Sequence, residues 1–260
     1  TLRSYDMPRL SFIHMKRYLK DYIIKVVDHC GVSLAGSELE LFELALNKAD
    51  LVRILETPRD VILLCNKLRL SAPNIRNEVS FADLVIFETL EVKFPDLSRI
   101  IRTEPDRFVA DEEFTSGDTI ASCHIAFTKK EKEEKPVLDD LLDRVDCDAR
   151  KKDSLKSLLL FMFPRLAGKD NYLENIPENI NRIKNRDAFL KLLHCGITSF
   201  TYSTEEARRF CEVPEEREQI LTEYRNANDL YNWINYLMRV AVDSDIKDAE
   251  GLCLLFLNEV

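Results

Sequence analysis

At several points along this chain a serine or threonine stands three residues before an acid, with apolar residues at helical spacing behind it. Three such pairs read as capping boxes: Thr57–Asp60, Ser80–Asp83 and Ser203–Glu206. In such a capping box the hydroxyl accepts from the backbone N–H three residues on, and the acid accepts from the cap's own N–H. Repeated helix starts of this kind constrain the chain to helices. Only 6 glycines and 9 prolines interrupt its 260 residues. The apolar spacing predicts helices over 8–31, 37–49, 57–72, 80–95, 97–102, 137–145, 149–163, 176–183 and 187–193, another from 203, then 229–242 and 245–259. Gly31 suits a C-cap.

The segment 111–135 breaks this pattern. DEEFTSGD is acidic and loop-like, and KKEKEEK is a solvated charge run. Between them 119–128 is rich in small and β-branched residues, the composition of a short strand. The expected organisation is an all-α protein: a helical lid-type bundle over 1–110, a charged linker or insertion over 111–135, and a second helical domain over 136–260.

With a net charge of −9 and a pI of about 5.2, the chain lacks the broad basic footprint of a nucleic-acid or membrane binder. Arg150, Lys151, Lys152 and Lys156 cluster, but 128–156 holds nine basic and nine acidic side chains, so phosphate attraction is offset. Tyr231, Trp233 and Tyr236 suit a core or a partner surface better than a base-stacking platform. No apolar run approaches the roughly 18–20 residues of a membrane span. The 7 cysteines are odd in number and dispersed, and no signal peptide precedes them, which points to a reducing cytoplasm. A start on Thr1 and an apolar ending in LCLLFLNEV suggest a piece of a longer protein.

Catalytic motifs are absent. Neither G-x-x-x-x-G-K-[ST] nor G-x-G-x-x-G occurs, and LAGKDN over 166–171 lacks the earlier glycine and the hydroxyl of a phosphate loop. The neighbours His29–Cys30, Cys123–His124 and His194–Cys195 are not C-x-x-C pairs and do not form a zinc framework. There is no G-x-S-x-G elbow. An enzyme acting alone, such as a nuclease, would need an acidic metal cluster that the sequence does not assemble.

One residue resists the bland reading. In ETPRDVILLCNKLRL, Arg59 falls in the first turn behind Thr57 and Pro58. The positive end of the helix dipole disfavours a cation there by roughly 0.3–1 kcal/mol. Either Arg59 points into water or an anion sits nearby.

The run LETPRDVILLCNKLRL…NEVSFADLVIFETLEVKFPDLSRII resembles the lid region of the KAP family of P-loop NTPases. There a T/D-x-R-x-hydrophobic-hydrophobic helix bearing an Asn precedes an E-V-x-x-x-D-L-L-x-L helix. SYDMPRLSFIHMKRYL is similar to the stretch after that family's last core strand. RIKNRDAFLKLLHCGITSFTYSTEEARRFCEV is similar to an element near its C-terminus. The resemblance implies that Arg59 reaches nucleotide phosphates, with Thr57, Asn66 and Asp83 as lid support. It also implies that ATP and Mg are held by an NTPase core N-terminal to this chain, with its Walker A and B motifs. The chain by itself would then be no enzyme. Homo-oligomerisation and a role in bacterial defence against phage or plasmids follow from the resemblance alone. The alternative is a self-contained helical interaction adaptor with no nucleotide role.

Overall fold

A computed structural model describes residues 11–32, 34, 36–109, 137–167, 176–177, 179–198 and 201–243. The expected linker at 111–135, the strand at 119–128, Cys123–His124, most of LAGKDN and the last helix at 245–259 lie outside them.

Among the described residues the fold is all-α, with twelve helices and no strand. They are α1 (Phe12–Cys30), α2 (Ser37–Asn47), α3 (Leu51–Ile54), α4 (Pro58–Ile75), α5 (Phe81–Lys93), α6 (Pro95–Thr103), α7 (Val137–Asp143), α8 (Ala149–Met162), α9 (Arg186–His194), α10 (Thr204–Glu212), α11 (Arg217–Asn226) and α12 (Leu230–Asp243). Gly31 closes α1 at φ 64°, the left-handed C-cap expected of it.

Helix α5 is central. Every residue from Phe81 to Leu90 is buried, because α4, α2, α6 and α8 pack around it. A helix buried on all sides needs apolar residues all round, and FADLVIFETL supplies them apart from Asp83, Glu88 and Thr89. Helix α1 lies on α4 and α3, and α3 on α8. The apolar core is therefore shared across the expected 111–135 boundary. One cluster runs from Leu19 through Leu64 and Phe87 to Leu141, Phe161 and Leu192. A second is built by α10, α11 and α12 around Trp233, which stacks on Tyr224 at 4.6 Å and meets Phe210 edge-on at 4.8 Å. Trp233 and Tyr236 are core, whereas Tyr231 is exposed.

Several helix bounds differ from expectation for physical reasons. Helix α4 does not stop before Pro73 but carries it to Ile75. Pro73 is exposed, on the side of the helix where water can take the place of the donor that the Arg69 carbonyl loses. Asn74 Nδ2 meanwhile donates to the Leu70 carbonyl at 3.4 Å. The expected helix at 176–183 is absent: its described residues form turns anchored by side chains, with Asn181 N donating to Asn179 Oδ1 at 2.8 Å. Helices α3 and α11 escape the periodicity. The first is one turn long. The second buries Arg217, whose Nε and Nη2 donate to the Phe210 and Cys211 carbonyls at the end of α10 (2.9 and 2.8 Å).

Candidate functional site

At the start of α4 the chain does what its local sequence dictates. Asp60 N donates to Thr57 Oγ1 at 3.2 Å. Asp60 Oδ2 accepts from Thr57 N at 2.9 Å and Glu56 N at 3.1 Å. The box is complete, and Pro58 has no N–H to leave unpaired. These amides are therefore committed and form no open cradle for an anion.

The neighbouring charges are also matched. Lys93, at the end of α5, lies 3.2 Å from Asp60 Oδ2 and 3.7 Å from Glu56 Oε2. Lys151, in the first turn of α8, lies 2.8 Å from Glu56 Oε1. That hydrogen bond outweighs the opposing effect of burial and raises the Lys151 pKa. Nearby, Arg53 lies 3.4 Å from Asp50. Arg59 is different: it is exposed and has no hydrogen bond or ion pair among the described residues. In the cluster beside it in sequence, two acids, Glu56 and Asp60, balance two lysines, Lys93 and Lys151. A guanidinium in this position can make charge-assisted, planar contact with a phosphate or carboxylate brought to it.

The remaining lid residues separate in space. Thr57 is half-buried as the cap. Asn66 is exposed two turns along α4 and accepts from Arg69 Nη1 at 3.4 Å. Asp83 is sealed in the core, where Oδ2 accepts from Arg182 Nε at 2.7 Å and Ile183 N at 2.9 Å. The expected Ser80–Asp83 box does not form. Instead Glu38 of α2 accepts from Phe81 N at 3.1 Å and Ser80 Oγ at 3.2 Å. Its other oxygen accepts from Asn179 Nδ2 at 2.8 Å. Burial, then the Asp83 charge, raises the Glu38 pKa.

A second polar centre went unnoticed in the sequence. Lys191 is fully buried, with Nζ 2.9 Å from Glu78 Oε2 and 2.7 Å from Asp187 Oδ2. It also donates to Thr204 Oγ1 at 3.2 Å and Tyr236 Oη at 3.1 Å. Glu78 accepts from Thr204 N at 2.7 Å, Glu205 N at 3.2 Å and Ser203 Oγ at 2.7 Å. Burial alone would raise the Glu78 pKa; the Lys191 charge and these hydrogen bonds outweigh it and leave it lowered. Burial likewise opposes the Lys191 charge, and Tyr236, Asp187 and Glu78 together leave its pKa raised. The centre is satisfied and closed, and it joins the α4–α5 turn to the start of α10. No periodic pattern marks such a lysine in advance; Glu78 stands 113 residues from it.

Among the described residues no group of three His, Cys, Asp or Glu could hold a metal, and no helix is long and apolar enough to cross a membrane. His194 and Cys195 are both exposed at the end of α9, and the described cysteines are free. A cavity between Pro105, Val109, Arg186 and Phe189 encloses about 20 Å³, room for a water and far too little for a nucleotide. Comparison with family models, with curated proteins and with solved structures finds no match to this chain.

Proposed function

We propose that this chain is the nucleotide-state-sensing lid and C-terminal helical region of a KAP-type P-loop ATPase, in which Arg59 contacts the phosphates of ATP held with Mg by an N-terminal core. The observation that carries this reading is the exposed guanidinium of Arg59, which has no hydrogen bond or ion pair among the described residues while Glu56, Asp60, Lys93 and Lys151 neutralise one another. A capped helix start fixes the backbone of the residue, and no described residue pairs with its charge. The lid would transmit nucleotide state to the helices behind it through α5, against which α4 packs. Oligomerisation and a setting in bacterial defence come with the family resemblance. The same reading makes the isolated chain inactive towards ATP, since one arginine does not replace a phosphate loop and its magnesium.

The test joins the chain to that NTPase core and compares ATP turnover and nucleotide affinity with and without Arg59→Ala. Turnover is expected to fall by roughly two orders of magnitude, as when a single charge-stabilising donor is removed. Unchanged turnover and affinity would sink the assignment.

A second reading, a helical interaction adaptor with no nucleotide role, is favoured by one specific observation. Leu63 and Leu70 on α4 are solvent-exposed, on the side opposite Val61, Leu64 and Leu68, and Ile62 is exposed on the flank. A helix apolar on two faces has a second face to cover.

A further inference from the structure

The two apolar cores are separated by a polar junction. The first draws on α1–α9, and its last buried members are Phe189 and Leu192. The second belongs to α10, α11 and α12, with Tyr202, Tyr224 and Leu230 at its edge. Among the described residues one apolar side chain from before Tyr202 packs on this second core, the half-buried Ile180. Where the two parts meet, polar side chains are buried in place of an apolar seam. Lys191 Nζ, on α9, donates to Thr204 Oγ1 of α10 and to Tyr236 Oη of α12. Glu78, in the α4–α5 turn, accepts from Ser203 Oγ and from the Thr204 and Glu205 amides. Asn181 completes the ring: Thr204 Oγ1 donates to its Oδ1 at 3.0 Å, and its Nδ2 donates to the Asn77 carbonyl at 2.8 Å. Glu78, Asn181, Lys191, Thr204 and Tyr236 are all buried.

Shared apolar burial is what ties helices into one cooperative unit, and a single half-buried isoleucine supplies little of it. An intact buried ion cluster fixes position but adds little net attachment, because its charges give up their hydration to form it. Parting the two units returns Lys191, Glu78 and Asp187 to water and leaves the first core closed. We propose that α10–α12 is a releasable C-terminal unit, freed in one cooperative step when the Glu78–Lys191–Thr204–Tyr236 clasp opens, while α1–α9 stay folded. Among the described residues the chain crosses between the two parts once, in the α9–α10 connection. That connection begins with Cys195 in the left-handed region (φ 53°) and Gly196. At about 40 residues, 202–243 is of the size at which a core alone barely holds a domain together, so the second core loosens once it is undocked. The device needs neither Arg59 nor a nucleotide.

Trp233 is the chain's single tryptophan and lies in the second core, so its emission reports on that core. The experiment follows urea unfolding of the chain by Trp233 emission and by far-UV circular dichroism. The Trp233 transition is expected at lower urea than the main dichroism transition, which follows the larger first part. Glu78→Gln keeps the shape of the side chain and removes its charge. It should lower the Trp233 midpoint by roughly 1 M and leave the main dichroism transition in place. Hydrogen exchange read by mass spectrometry gives a second measurement. Peptides of α10, α11 and α12 should exchange together, roughly tenfold faster in Glu78→Gln than in the wild type, with α4, α5 and α8 unchanged. Tyr236→Phe deletes one hydroxyl of the clasp and should move both readings the same way by less; it carries the comparison if Glu78→Gln does not fold. Coincident transitions in the wild type and the variants alike, or equal acceleration of exchange in α5 and α12, would overturn the proposal, because the fold would then be one cooperative unit. Acceleration confined to the first turn of α10 would overturn it too, since Glu78 would then be only a helix cap.

Discussion

The starts of α4 and α10 share a sequence device and use it differently. Helix α4 is capped by its own residues, Thr57 and Asp60 bonding each other's amides. At α10, Ser203 Oγ accepts from Glu206 N at 3.1 Å, but the reciprocal half is missing. Glu206 instead accepts from Tyr224 Oη at 2.7 Å, and Glu78, more than a hundred residues away, takes the Thr204 and Glu205 amides. The α5 start goes further and takes its acceptor from Glu38. Local capping suffices where a helix begins near solvent. Where it begins inside the protein, its amides and the acid must both be satisfied in a dry environment, and a tertiary carboxylate takes over.

Substitutions can break this contrast, beginning with the buried centre. Glu78→Ala strands the Lys191 ammonium and the α10 amides, and about 3–5 kcal/mol of unfolding free energy should be lost. A urea titration giving less than about 1 kcal/mol would show that the centre is not the clasp it looks to be. Glu38→Ala removes acceptors from Phe81 N, Ser80 and Asn179, with about 1–3 kcal/mol expected in the same titration. Thr57→Ala should cost about 1 kcal/mol, the ordinary value of one N-cap side chain. A loss as large as that at Glu78 would mean that α4 is not locally capped. Arg59→Ala should leave stability within about 0.5 kcal/mol, since the side chain is exposed and makes no hydrogen bond or ion pair among the described residues. A larger loss would reveal an intramolecular role for the guanidinium.

Acidity sharpens the same comparison. Glu78 has a lowered pKa in the fold. Its contribution is present above the ordinary glutamate range and is lost as pH falls through the lowered value. Glu38 has a raised pKa. Its contribution is full below that range and is lost as pH rises through the raised value. Urea midpoints followed from about pH 3 to about pH 7 should therefore separate the two. Glu78→Gln flattens the acid limb of the stability profile. Glu38→Gln instead gains on the wild type as pH rises. Parallel profiles for both variants would contradict the opposite electrostatic settings of the two carboxylates.

The helices and the start of α4 were legible because their causes are local. An apolar residue every three or four positions and a hydroxyl three residues before an acid act within one or two turns. The same reasoning misread Ser80–Asp83, since a box and a buried acid look alike until the neighbours are known. It also missed α11, which holds its place through the Arg217 guanidinium on carbonyls of α10 rather than through a wide apolar stripe. Arg59 was singled out from its position against the helix dipole. That it has no partner among the described residues, whereas Lys93 and Lys151 have theirs, depended on which helices pack beside α4.

By itself, then, the sequence determined an all-α chain, its helix periods, the cap at Thr57 and the placement of a cation in the first turn behind it. Only the tertiary structure decided that Asp83 is an internal anchor for Arg182, that Glu38 and Glu78 cap helices far from them in sequence, and that Leu63 and Leu70 are left outside. The physical reason is range. Backbone propensity and capping act over a few residues, while the cost of burying a charge depends on every side chain that folding brings around it.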